Sequence, residues 1–254
     1  MKLLALDCSA APASCAIWED GRILAEFYIN VKLTHSQTLM PMADCMLHSV
    51  GLSPAQLDGF AVSAGPGSFT GVRIGVAALK GMAWPMDKPC AAVSTLEAMA
   101  ENLRGANGAD TDASTGLSDE GADALLCCVM DARCNQVYNA LFNRRGGQIT
   151  RICPDRALML DELGAELEKL DQDNLPVILA GDGAELCYQK LHDRIPRLRL
   201  APEPLRFQRA SGVAAAAGRM FAAGETLSAE ALQPVYLRLP QAERELKKKQ
   251  AAKK

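Results

Sequence analysis

Imidazole is scarce in this chain. Three histidines, His35, His48 and His192, lie far apart, and no two stand at a metal-binding spacing. No H-E-x-x-H or phosphate-loop lysine pattern occurs. Gly67-Ser68-Phe69-Thr70-Gly71 carries its serine one position too early for a nucleophile elbow. These gaps leave metal-assisted hydrolysis and serine acyl transfer without their usual groups. Aromatic residues make up 5% of the chain, so its core must rest on Leu, Val, Ala and Met. No apolar run approaches bilayer length. The apolar stretch before Asp7 is too short for a signal-peptide core, so a cytoplasmic, soluble protein is expected. A net charge of −3 weighs against a broad basic surface for nucleic acid. Nine cysteines include no C-x-x-C pair and mostly sit in apolar runs, as small buried hydrophobes in a reducing compartment do.

What the chain does have is Gly65-Pro66-Gly67-Ser68-Phe69-Thr70-Gly71-Val72-Arg73-Ile74-Gly75. It follows an apolar run, Phe60-Ala61-Val62, and leads into a helical stretch reaching Trp84. Closely spaced glycines, one joined to a proline, describe a tight strand-to-helix turn where backbone comes close to something. Backbone N–H groups at a helix start favour an anion, and Ser68 or Thr70 is placed to cap. Gly65, Gly67, Ser68, Thr70, Gly71 and Arg73, with Asp7 at the end of the first strand, form a candidate nucleotide or anion site. Asp7 suits either a hydrated magnesium ion or a local turn cap. Arg73 suits a phosphate or a structural ion pair.

Patterning organises the rest. Leu3–Leu6, Ser14–Trp18 and Ile23–Tyr28 read as a three-strand meander, with a hairpin turn at Glu19-Asp20-Gly21-Arg22. Leu39, Met42, Ala43, Met46, Leu47 and Val50 recur at helical spacing from His35 to Val50. The helix after the glycine turn carries two apolar stripes, Val72, Val76, Leu79 and Ala83 on one side, Ile74, Ala78 and Met82 on the other. Such a helix is either core on both sides or shared with a partner. Leu39, Met42, Met46, Val72, Val76 and Leu79 are therefore candidates for a partner interface, with core packing as the alternative. A second cycle starts at Ala124–Met130 and returns at Val137–Phe142. It continues through a helix at Asp161–Leu170 and a strand at Val177–Ala180 into Gly181-Asp182-Gly183. An alanine-rich helix follows at Ala210–Ala223. The order fits a duplicated α/β architecture. The divisions read as 1–104, a flexible acidic insert at 105–123, 124–205, a C-terminal helix and strand at 206–237, and a flexible basic tail at 238–254. The insert holds five acidic and no basic residues; the tail holds seven basic and two acidic.

Leu4-Ala5-Leu6-Asp7, His35-Ser36-Gln37-Thr38-Leu39-Met40-Pro41 and the glycine-rich run resemble the TsaB (YeaZ-type) family. Val93-Ser94-Thr95-Leu96, Asp131-Ala132-Arg133, Gly181-Asp182-Gly183-Ala184 and Pro234-Val235-Tyr236-Leu237-Arg238 share the resemblance, in order over nearly the whole chain. It implies an actin/Hsp70/sugar-kinase-like fold of two related α/β subdomains. It also implies a part in making threonylcarbamoyladenosine beside the anticodon of tRNAs reading codons that begin with adenosine. In that family the transfer is made by a paralogous subunit, TsaD, with TsaB and the ATPase TsaE required alongside. The histidine pair that binds metal in TsaD relatives falls here on Thr95 and Met99, neither of which replaces imidazole at a metal. The expectation is a subunit with no catalytic residues and no metal or cofactor of its own. It would bind TsaD through first-half helices, or a second copy of itself in TsaD's absence, and meet tRNA only through the complex. ATP or ADP would lodge at the joint with the partner. The competing expectation is an autonomous ATP-dependent phosphotransferase using Asp7 and the Gly65–Gly75 turn.

Overall fold

The structure is a computed structural model that describes residues 1–31, 33–104, 122–170 and 175–238. Most of the expected insert and nearly all of the expected tail lie outside the described residues. Strands β1 (Lys2–Asp7), β2 (Ala13–Glu19) and β3 (Arg22–Ile29) form the antiparallel meander. Asp20 and Gly21 take φ of 46° and 92°, the two left-handed positions that a tight hairpin turn demands. Helix α1 (His35–Ser49), β4 (Gly59–Gly65), α2 (Phe69–Ala83), β5 (Cys90–Ser94) and α3 (Thr95–Asn102) complete the first cycle. The second runs β6 (Ala124–Asp131), β7 (Gln136–Arg145), β8 (Gln148–Arg151), β9 (Arg156–Met159), α4 (Leu160–Lys169), β10 (Val177–Ala180), α5 (Ala184–Leu191) and β11 (Leu198–Leu200). Helices α6 (Glu203–Arg206) and α7 (Ala210–Ala222) follow.

The two sheets repeat one plan. The first has the order β3-β2-β1-β4-β5 and the second β8-β7-β6-β10-β11, with β9 also paired to β7. In each, an antiparallel meander is extended by two parallel strands beside its first strand, and the inner one, β4 or β10, is buried on both faces. Alternation sorts the side chains. Leu4, Leu6, Phe60 and Val62 meet α1 and α2, whereas Leu3, Ala5 and Ala61 meet Val213, Ala214 and Ala217 of α7. In the second sheet Leu126, Cys128 and Met130 meet Leu96, Met99 and Ala100 of α3. Leu125, Cys127 and Val129 meet Leu163 and Leu167 of α4 and Cys187 of α5.

Two helices thus serve the half opposite to their place in the sequence. Helix α3, from the expected 1–104 unit, covers the second sheet, and the C-terminal α7 covers the first. They pack on each other between the sheets so closely that a Cβ at Gly212 would sit 2.1 Å from the Ala98 carbonyl oxygen. Past α7 the described residues make a single bridge, Cys90 to Leu227, in place of the expected strand, then a turn at 229–231 before the chain reaches Arg238. Several elements carried too little periodicity to be read from sequence: β8, β9, α5 and β11.

One expectation is corrected. Leu39, Met42, Met46, Val72, Val76 and Leu79 are all buried inside the first core and are not a partner surface. They are the inner stripes of two amphipathic helices, and each helix has just one such inner face. The second stripe of α2, Ile74, Ala78 and Met82, is half-buried at the edge of that core. Outward lie Met40 and Pro41 on α1, Ala77 and Gly81 on α2, and Trp84 just beyond it. Leu39→Asp should therefore unfold the protein rather than sever a complex, because removing a buried Leu side chain costs about 2–5 kcal/mol before any charge is desolvated. Thermal unfolding of Leu39→Asp beside Trp84→Asp checks this: a large drop is expected for the first and a negligible one for the second.

Candidate functional site

Each half ends its first strand on an aspartate and the parallel neighbour of that strand at a glycine. Asp7 closes β1 and Gly65 closes β4; Asp131 closes β6 and Gly181 follows β10. Both glycines have left-handed φ, 128° and 110°. Between the halves lies a cleft of about 480 Å³. Ser9, Pro66, Gly67, Ser68 and Phe69 form its first-half wall, Asp131, Arg133, Tyr138 and Asp182 its second-half wall. Val235, Tyr236 and Arg238 of the C-terminal segment line it as well.

Asp7 is 1% exposed, and only one of its oxygens is satisfied. Its Oδ1 accepts from the Ser9 amide at 2.9 Å and the Ser9 hydroxyl at 2.7 Å. Among the described residues its Oδ2 and the Ser63 hydroxyl each lack a partner at hydrogen-bond geometry, although the hydroxyl is near enough to favour the charged carboxyl. Burial pushes the Asp7 carboxyl above the ordinary range, with Ser63 and Ser9 opposing it. Asp131 is the better hydrated counterpart. Its Oδ1 accepts from the Arg133 amide at 2.7 Å, and its own amide donates to Asp182 at 3.3 Å. Crowding by the cleft wall pushes Asp182 up to about 6 although its edge reaches solvent, and the Asp131 charge adds to the effect. Arg133, Cys134 and Asn135 all take left-handed φ in the β6–β7 turn, a costly run for residues with a Cβ.

The glycine-rich turn is tight for an internal reason. A Cβ at Gly65 would lie 2.2 Å from the Val235 carbonyl oxygen, at Gly67 2.4 Å from that of Ser9, and at Gly71 2.0 Å from that of Cys8. The Ser68 amide is spent on the Ser9 carbonyl at 2.6 Å, and the Ser68 hydroxyl caps α2 by accepting from the Gly71 amide at 3.2 Å. Thr70 is exposed and does not cap. Glycine is thus required at these three positions by the chain's own carbonyls, and one amide of the turn is already spent. Among the described residues Arg73 makes no carboxylate pair. Its guanidinium lies 3.7 Å from the Phe69 ring centroid and donates to the Tyr236 hydroxyl at 2.7 Å.

Thr95 and Met99 are fully buried, and the Met99 sulfur is the side-chain atom nearest to Gly181. Among the described residues no three His, Cys, Asp or Glu side chains gather as a metal-ligand set. His35 does not cap α1; its Nε2 pairs with the Ala10 carbonyl at 2.8 Å. Cys8, Cys15 and Cys187 are buried thiols pushed up to about 12, whereas Cys45 and Cys134 are exposed. Sequence reasoning missed Ser9, Asp182, Tyr236 and Arg238 as parts of the cleft. The recurrence of a strand ending on aspartate, and of a glycine turn after a parallel strand, is the signal that finds the second wall.

The repeated meander-plus-parallel plan, with helices on both faces of each sheet and a cleft between the halves, defines an α/β protein of the actin/Hsp70/sugar-kinase-like class. The family model for TsaD, tRNA N6-adenosine threonylcarbamoyltransferase, matches residues 22–245. The tRNA threonylcarbamoyladenosine biosynthesis protein TsaB of Bacillus subtilis is 33% identical over 76% of each chain, and that of Escherichia coli is 30% identical over 94% of this chain and 95% of its own. The solved structure of YeaZ from Pseudomonas aeruginosa superposes with a TM-score of 0.70 at 27% identity, covering 93% of this chain and 99% of that one. The chain belongs to the TsaB (YeaZ-type) family.

The dry Asp7 carboxyl gives a pH test. With its folded pKa above the unfolded value, its favourable contribution is complete below the unfolded pKa and is lost as pH rises through the folded one. Asp7→Asn keeps the acceptor for Ser9 and supplies a donor toward Ser63. Its melting temperature at pH 7 should exceed that of the unaltered chain, and the gap should close on acidification toward pH 4. A gap that widens on acidification would contradict the assignment.

Proposed function

We propose that this chain is a non-catalytic subunit that binds and activates a TsaD-type transferase. It would act together with the ATPase TsaE in forming threonylcarbamoyladenosine beside the anticodon of tRNAs reading codons that begin with adenosine. The observation that carries this reading is the outward face of α1 and α2. Two helices on one side of the first sheet present Met40 (40% exposed), Ala77, Gly81 and Trp84 (66% exposed), small or apolar side chains, with the exposed Asp44 and Arg73 one turn along the same stripes. Small residues let another helix approach closely, and a large aromatic beside them is the usual anchor of such an interface. A second copy of the chain would use the same face in the absence of the transferase, and tRNA would be met only through the complex. ATP or ADP at the joint would be held by the partner's groups, since Gly65, Gly67 and Gly71 abut the chain's own carbonyls.

The phosphotransferase reading draws less support, because Asp7 is desolvated and the Ser68 amide of the glycine turn is already spent on the Ser9 carbonyl. Co-purification with the transferase and TsaE, followed by nucleoside mass spectrometry of tRNA, tests the proposal. Trp84→Asp and Met40→Asp should each weaken the complex about 30-fold or more, the loss expected of an interface anchor, and lower the modified nucleoside with it. Full modification by a variant shown not to bind would refute the activating role. Turnover of Mg-ATP by the purified chain alone would favour the enzyme.

A further inference from the structure

The segment from Leu232 to Arg238 starts in one half of the molecule and ends in the other. Its root is fixed to the first half: Leu232 is buried in the α1–α2 core, and the Lys80 ammonium donates to the carbonyls of Glu230 at 2.9 Å and Leu232 at 3.1 Å. It then crosses the glycine turn. The Val235 amide donates to the Ala64 carbonyl at 2.7 Å, and the Val235 carbonyl occupies the space that a side chain at Gly65 would need. The Tyr236 ring packs 5.0 Å from that of Phe69, and its hydroxyl takes the hydrogen bond from Arg73. At its far end the Arg238 guanidinium donates to the Ala132 carbonyl, in the β6–β7 turn of the second half.

We propose that Leu232–Arg238 is a latch. It fills the mouth of the cleft in place of a ligand and holds the two halves at one angle, so that the cleft opens only when it detaches. Its two ends are unequal. The first-half end combines a buried leucine, a lysine clamp, a backbone hydrogen bond and an aromatic–arginine stack. Among the described residues the second-half end rests on Arg238. Val235 and Tyr236 are 48% and 40% exposed, so solvent already reaches the middle of the segment. Detachment therefore begins at Arg238 and leaves the segment tethered to the first half. The proposal concerns the motion of the chain alone and does not depend on which partner it binds.

The test measures the angle between the halves in the full chain. Spin labels go on Cys45, exposed on α1, and on Gln189→Cys, exposed on α5, with Cys134→Ser and Cys153→Ser to silence the other accessible thiols. The parent should give one narrow distance. Arg238→Ala should broaden that distribution at least twofold, or add a second, longer distance, while circular dichroism and melting temperature stay near the parent values. Arg238→Lys, which keeps a donor for the Ala132 carbonyl, should restore the narrow peak. Hydrogen exchange at the Val235 amide should stay within about twofold of the parent in Arg238→Ala, because its bond to the Ala64 carbonyl belongs to the end that remains tethered. An unchanged distance distribution in Arg238→Ala would overturn the latch, and so would exchange at Val235 that quickens about tenfold, which would mean that the first-half end lets go as well.

Discussion

Everything in this molecule depends on how closely α3 and α7 approach each other between the two sheets. Gly212 allows the contact, and alanines on both helices keep it thin. A ring of charge fixes its register. Glu101, with its side chain almost completely buried, meets Arg219 at 2.9 Å and Arg104 at 2.7 Å, while Glu97 meets Arg219 at 3.1 Å and Arg151 at 2.9 Å. The Ser94 hydroxyl, which caps α3, donates to Asp155 at 2.6 Å, and Asp155 in turn holds Arg151. Desolvating such ions offsets much of their attraction, so the ring adds less to stability than its distances suggest. Its effect is positional: a shift of α7 by one residue would pull Arg219 away from both Glu97 and Glu101, leaving Glu101 to Arg104 alone. Because α3 covers the second sheet and α7 the first, that contact is also where the two halves are joined.

Much of the fold was legible in the sequence, and the reason differs from element to element. Helix α1 declared itself because its apolar residues recur over four turns. The meander did so because Asp20-Gly21 is the turn that a two-residue hairpin loop requires. Helix α5 has the same kind of inner stripe, Ala184, Cys187 and Leu191, but only two turns in which to show it. Strand β11 is three residues long and gains its place from pairing with β10, a tertiary fact that no local pattern carries. The exchange of α3 and α7 between halves is of the same kind. Both helices have apolar inner faces, and nothing in either face names the sheet it will cover.

The site was legible in its parts, but not in what those parts touch. The glycines do mark a place where backbone comes within contact of something, as the absence of side chains there requires. Sequence alone cannot distinguish a phosphate oxygen from a carbonyl oxygen of the same chain, since both demand the same empty space. Likewise the apolar periodicity of α1 and α2 was real, and the choice between core and partner depended on which side of each helix faces the sheet. The alternation of Leu4, Leu6, Phe60 and Val62 settles that choice in the fold.

The duplicated aspartates show what the two halves still share and what they have lost. Asp7 and Asp131 end equivalent strands, yet one has an oxygen sealed away without a partner and the other binds its own turn. A carboxylate must be reachable and charged to hold a hydrated cation. Asp7 is held away from solvent and is biased toward its neutral form, and Asp131 is committed to Arg133. Three carbonyls lie against three glycines on the opposite wall, where a Cβ has no room. What the two halves share is a strand ending on an aspartate beside a glycine turn; what differs is how far each carboxyl is removed from water, and that difference follows from what packs over each strand end.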